Sequence, residues 1–175
     1  MLVLLVDSRE RAPLIFGCDW ERKGLKVGDY CARFSPSYQY PLVFERKSIN
    51  DLFGSLTQSY DRFRRMLLRA EKLGIRVVIA IEGTKEKVLK GCSHSARDPE
   101  SILVQLETIK KKYNVEYIFF PSRIAMQHYI VDYYLTRYEE YLELTSTAER
   151  SARKPDHGRA VLLDAEQKLK KVKNL

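Results

Sequence analysis

The sequence predicts an α/β domain: a mixed β-sheet flanked by helices, followed by a helical C-terminal tail. Three observations lead there. Short apolar runs bounded by charge recur along the chain. The hydrophobic spacing changes after Ser48 from strand-like runs to intervals of three and four. The elements follow in the order β-ββ-α-β-(α)-α-β-α, which calls for a sheet with helical crossovers.

Leu2–Val6 is apolar and β-rich, and Asp7 closes it as a first strand. Lys26–Phe34 and Tyr40–Lys47 form a hairpin turned at Ser35-Pro-Ser-Tyr-Gln39. From Ser48 to Leu73, Leu52, Phe53, Leu56, Tyr60, Phe63, Leu67 and Ala70 mark one amphipathic helix, which Gly74 stops. Arg76–Ile81 contains a continuous apolar run, as a strand buried on both faces requires. A short helix over Lys85–Lys90 and a loop over Gly91–Asp98 follow. Asp98 caps a helix that opens on Pro99 and runs to Tyr113. Val115–Phe120 is a strand, and Ser122 caps a long helix to Leu144. Residues 1–144 make one domain. Thr145–Gly158 reads as a linker and Ala160–Val172 as a basic helix, so 145–175 is a linker and basic helical tail.

Composition narrows the function. The 175 residues are 45% hydrophobic, enough for a core without staples. Cys18, Cys31 and Cys92 have no C-x-x-C spacing and read as free thiols. His94, His128 and His157 show no ligand spacing. No apolar run reaches the roughly 18 residues of a membrane span, so the expected location is soluble and intracellular: cytoplasmic or nucleoid-associated in a prokaryote or virus, nuclear in a eukaryote. The net charge is +8, which points to a polyanionic partner, nucleic acid first. From Arg150 onward eight Lys and Arg face three Asp and Glu, so +5 of that charge lies in the tail and +3 in the rest. Neither G-x-G-x-x-G nor G-x4-G-K-[ST] occurs, which disfavours a nucleotide-binding enzyme.

The residues that carry chemistry lie in the first 51. Asp7 and Glu10 end the first strand, Asp29 follows Gly28 within the second, Glu45-Arg-Lys47 ends the third, and Asp51 opens the long helix. Glu45 and Lys47 are two apart on a strand and share a face. Asp29 on the neighbouring strand can face Glu45. Two carboxylates with a backbone carbonyl make a hard, oxygen-only donor set suited to Mg²⁺ or Mn²⁺, and an amine beside them can stabilise developing charge. Each feature alone has an ordinary reading as solvated charge or helix capping; together they mark one site.

Read as Gly28-Asp29, then Glu45-Arg-Lys47, then Asp51, the pattern resembles the G-D-x(n)-E-R-K-x(3)-D signature of the XPF-type structure-specific endonucleases, in the restriction-endonuclease-like superfamily. Leu25-Lys-Val-Gly-Asp-Tyr30, Lys47-Ser-Ile-Asn-Asp-Leu-Phe-Gly-Ser-Leu56 and Ile79-Ala-Ile-Glu-Gly83 fit the same family, so the resemblance covers residues 1–121. It implies a restriction-endonuclease-like sheet and a Mg²⁺- or Mn²⁺-dependent endodeoxyribonuclease acting near branched, flap or fork DNA in repair or recombination. It implies Asp29, Glu45 and the Arg46 carbonyl as metal ligands, with Asp7 in or beside the shell. Asp7, Asp29, Glu45 and Lys47 would be catalytic, Lys47 as the catalytic lysine. Glu10, Arg46 and Asp51 would support the site, and Arg9, Arg62 and Arg65 would contact the DNA backbone. The tyrosines of 124–144 offer a homodimer seam or a docking face for a helper protein. The tandem helix-hairpin-helix module of many members is not found after Pro121, where Gly158 is the only glycine. Two alternatives stay open: a catalytically silent DNA-binding scaffold, and a Holliday-junction-resolvase or restriction-type nuclease.

Overall fold

The computed structural model describes residues 1–113 and 115–152. A seven-stranded mixed sheet is sandwiched between helices. Its strands are β1 (Val3–Asp7), β2 (Trp20–Lys23), β3 (Tyr30–Ser35), β4 (Tyr38–Gln39), β5 (Leu42–Ser48), β6 (Arg76–Glu82) and β7 (Glu116–Phe120). They lie in the order β2-β1-β3-β5-β6-β7, with β4 beside β3. Strands β5, β6 and β7 are mutually parallel, β3 is antiparallel to both β1 and β5, and β2 is parallel to β1. The carboxyl ends of β1, β5 and β6 and the amino end of β3 therefore share one edge of the sheet.

Helices α1 (Ile49–Leu56), α2 (Tyr60–Lys72), α3 (Lys85–Leu89) and α4 (Pro99–Tyr113) cover one face; α5 (Arg123–Ala152) covers the other. The first face packs an aliphatic-rich core of Leu5, Val43, Leu52, Leu56, Leu67, Ile79 and Leu106 with Phe53 and Phe63. The second packs Tyr30, Phe34, Tyr40, Phe44 and Tyr134 with Val6 and Met126. No helix among the described residues is long and apolar enough to cross a membrane.

Several elements differ from expectation. The helix over Ser48–Leu73 is two. At Thr57 the backbone leaves helical geometry, with φ −126° and ψ −95°, and its amide turns to the Gly54 carbonyl. The second strand begins at Tyr30, because Gly28 takes a φ of 74° and turns the chain. Strand β2 was not expected: Trp20-Glu-Arg-Lys23 is a mostly exposed, charged edge with no apolar alternation. Helix α5 continues past Leu144 to Ala152, into the stretch read as a linker. The basic helix expected over Ala160–Val172 lies outside the described residues. The expected caps at Asp98 and Ser122 accept from the amides of Ser101 (2.8 Å) and Ala125 (3.1 Å), and Gly74 ends α2 with φ 64°.

Candidate active site

The shared edge gathers the acids. Asp7 ends β1, Asp29 precedes β3, Glu45, Arg46 and Lys47 lie near the end of β5, and Asp51 lies in the first turn of α1. All ten side chains singled out above, these with Glu10, Arg9, Arg62 and Arg65, line one cleft of about 610 Å³.

Asp29 is the joint of this edge. It sits in the bend before β3, not within the strand, because a side chain at Gly28 would be strained by its φ and would fall within 2.7 Å of Val43. Its amide donates to the Phe44 carbonyl (2.8 Å) and its carbonyl accepts from the Asp7 amide (2.8 Å). Its carboxylate accepts from the Arg46 amide (2.8 Å). Burial, and then the charge of Glu45, push the Asp29 carboxyl up to about 8. A carboxyl so raised by a neighbouring carboxylate sits where a cation would relieve the repulsion.

Strand alternation divides β5. Glu45 and Lys47 project to the α1–α2 face, and the Lys47 ammonium lies 2.5 Å from Glu45 Oε1 and 5.4 Å from the centre of the Phe63 ring. Arg46 projects to the opposite face. It donates to Glu82 (2.9 Å) and Glu10 (3.2 Å), and Arg123 of α5 donates to the same Glu82 oxygen (3.2 Å). Burial works against the Arg46 charge, but Glu10 and Glu82 hold its pKa above the ordinary arginine value. Arg123 also holds the carbonyls of Ala12 and Pro13 (2.8 and 3.1 Å), which fixes the chain beyond Glu10. Glu82 and Arg123 had no assigned role in the sequence. The position of Glu82 at a strand's carboxyl end was the signal available for it.

Asp7 is 2% exposed, and both its oxygens are engaged. Oδ1 accepts from the Arg9 amide and Nε (2.8 Å each); Oδ2 accepts from Arg9 Nη2 (2.9 Å) and the Leu25 amide (2.7 Å). Burial alone would raise its pKa, but these donors leave it lowered. Asp51 is tied to the helix start: Ser48 Oγ donates to its carboxylate (2.7 Å) and accepts from its amide (3.1 Å). Arg62 and Arg65 stand on the α2 wall with Arg69, which sequence reading left out although it continues their helical spacing. Arg11 and Lys26 also line the cleft with Arg9, and the Lys26 carbonyl accepts from Arg69 (3.4 Å).

Among the described residues, no three His, Cys, Asp or Glu side chains cluster closely enough to hold a metal by themselves. The oxygen donors at the centre are two carboxylates, Asp29 and Glu45, and the Arg46 carbonyl, which leaves the strand on the same edge as the amide bound to Asp29. That set suits a hard divalent cation that keeps several waters.

The family model of the ERCC4 domain matches residues 6–133. The chain belongs to the ERCC4 domain family. Two solved structures share its fold. XPF from Aeropyrum pernix superposes with a TM-score of 0.57 at 20% identity, over 73% of this chain and 61% of that one. XPF from Aeropyrum pernix in complex with DNA gives 0.56 at 19% identity, over 98% of this chain and 82% of that one. This chain thus spans about three-fifths of the length of the first. No curated protein sequence matches it. Family and fold make this an ERCC4 domain whose helix-flanked mixed sheet is the kind expected from the sequence.

Proposed function

We propose that the chain is a Mg²⁺- or Mn²⁺-dependent DNA endonuclease acting near branched, flap or fork junctions. The observation that carries this reading is the pairing of two close carboxylates, Asp29 and Glu45, with Lys47 on the floor of a cleft walled by arginines. Asp29, Glu45 and the Arg46 carbonyl would hold the cation. When bound, such an ion supplies positive charge to a phosphodiester and acidifies water.

The chain's own groups do the rest. Lys47 is held against Glu45 and the Phe63 ring, so its ammonium is fixed where negative charge builds up on the phosphate. Asp7 acts through Arg9 and the Leu25 amide, with its acceptor positions filled by those donors. It holds those groups in or beside the metal shell, as the resemblance implies. Glu10, Arg46 and Asp51 support the site through the contacts above. Arg9, Arg62 and Arg65 face the phosphate backbone. The resemblance to a protein whose structure was solved with DNA supports DNA as the substrate. Tyr129, Leu135 and Leu142, exposed on α5, would meet a helper protein or a second copy.

The test is cleavage of end-labelled duplex, flap, fork, four-way and single-stranded DNA with Mg²⁺, Mn²⁺ or EDTA. Glu45→Gln and Lys47→Ala should each lower the rate by roughly 10²–10³ while leaving the melting temperature near that of the parent. Binding without cutting in every metal would sink the catalytic reading and favour a scaffold.

A further inference from the structure

The segment after β6 is a second cationic surface at the same edge of the sheet. Thr84 caps α3 and buried Val88 pins it, which leaves Lys85, Lys87 and Lys90 exposed. The loop that follows carries exposed His94 and Arg97. Between Thr84 and Arg97 four Lys and Arg meet a single acid, Glu86. None of the four forms an ion pair among the described residues, whereas Arg33 and Arg76, away from this edge, are paired with Glu21 and Glu116.

This surface adjoins the cleft. Cys92 Sγ lies 3.2 Å from Asn50 Oδ1, and Asn50 lines the cleft beside Asp51. In strand order the edge runs β1, β3, β5, β6, so Arg9, Arg11 and Lys26 stand on one side of the acids and α3 on the other. At about 4.8 Å per strand β1 and β6 themselves lie roughly 14 Å apart, a span of several phosphates along one strand.

We infer that α3 and the loop to Arg97 form a second nucleic-acid surface, which grips the phosphate backbone of DNA leaving the cleft on the side away from Arg9, Arg11 and Lys26. The inference rests on the nuclease reading and deepens it. A polyanion drawn across Asp29 and Glu45 is repelled at that point, and cations on both sides offset the repulsion. Cutting within a strand requires the chain to be held on both sides of the reacting phosphate; trimming from an end requires only one.

The experiment is hydroxyl-radical footprinting and salt-dependent binding on a fork and a linear duplex, in EDTA so that no cutting is needed. Lys85→Glu/Lys87→Glu/Lys90→Glu is compared with Lys110→Glu/Lys111→Glu/Lys112→Glu, an equal charge change at the last turn of α4, near the opposite edge. The alanine triple at 85, 87 and 90 repeats the test with less perturbation. Circular dichroism confirms that each variant folds. The α3 variants should lose protection on one side of the site only. Their salt slope should fall by about 2–3, and affinity at 0.15 M salt by roughly tenfold or more. The α4 variant should keep the parental footprint. Equal losses from both triples, or an unchanged footprint in the α3 variants, would overturn the inference. One-sided retraction in a protein that never cuts would leave this surface standing while the catalytic reading falls. A parent that binds no DNA would end both.

Discussion

The two faces of the sheet are covered by different kinds of helix. Helices α1–α4 carry ten Lys and Arg against six Asp and Glu; α5 carries three against five. Beneath α1–α4 the core is mostly aliphatic. Beneath α5 it is a pile of rings, with Phe34 packed against Tyr38, Tyr40, Tyr138 and Tyr141, and Phe44 edge-on to Tyr129, Tyr133 and Tyr134. Glu45 and Lys47 project to the basic face and Arg46 to the aromatic one. The same strand thus lends the cleft its acid and lysine on one side and ties the frame together on the other. The difference teaches that the net charge of this chain is less informative than its sidedness.

The largest effect expected on the frame is at Phe34, which is 1% exposed. Phe34→Ala should cost about 3–5 kcal/mol, read as a shift in the denaturation midpoint, with DNA affinity unchanged at temperatures where the variant is folded. A loss of DNA affinity in step with stability would break the division between the faces.

A pH effect comes next, from the basic face. Asp29 has a folded pKa of about 8 against an ordinary 3.8, so the folded chain retains a proton that the unfolded chain gives up. The stability contributed by this group is complete below about pH 4 and is lost as pH rises towards 8. Asp7, whose pKa is lowered, acts in the opposite sense and only below its ordinary 3.8, so the two windows do not overlap. Melting scans should show Asp29→Asn removing the decline between pH 5 and 8, to the nearest unit. Mg²⁺ should raise the melting temperature of the parent more at pH 8 than at pH 6. A parallel decline in Asp29→Asn would assign it to another group.

The smallest effect is at Tyr134, whose hydroxyl donates to the Leu42 carbonyl at 2.9 Å and reaches the Tyr30 carbonyl at 3.2 Å. Tyr134→Phe should cost about 1 kcal/mol and leave cleavage unchanged, as a denaturation series read beside the cleavage assay would show.

Legibility followed the same division. The aliphatic runs at Val3–Asp7 and Arg76–Glu82 were readable because burial on both faces leaves an unbroken apolar stretch. Glu45 and Lys47 were readable because strand alternation is strict. The break at Thr57 was not, because the apolar spacing runs on unbroken across it. Strand β2 was hidden because an edge needs no apolar face. The roles of Glu82 and Arg123 were hidden because both act across the sheet on Arg46, and no local spacing records that contact. The tyrosines of α5 were readable only as a group: Tyr134 is fully buried while Tyr129 is 40% exposed, a sorting made by the sheet beneath them.

Asp29 stitches three strands through its amide, its carbonyl and its carboxylate. Its backbone cannot shift without opening the ladder between β1, β3 and β5, and turning its carboxylate aside would give up the bond from the Arg46 amide. The placement of this acid is therefore inherited from the sheet, whereas the arginines of the cleft walls stand on a loop and on a helix.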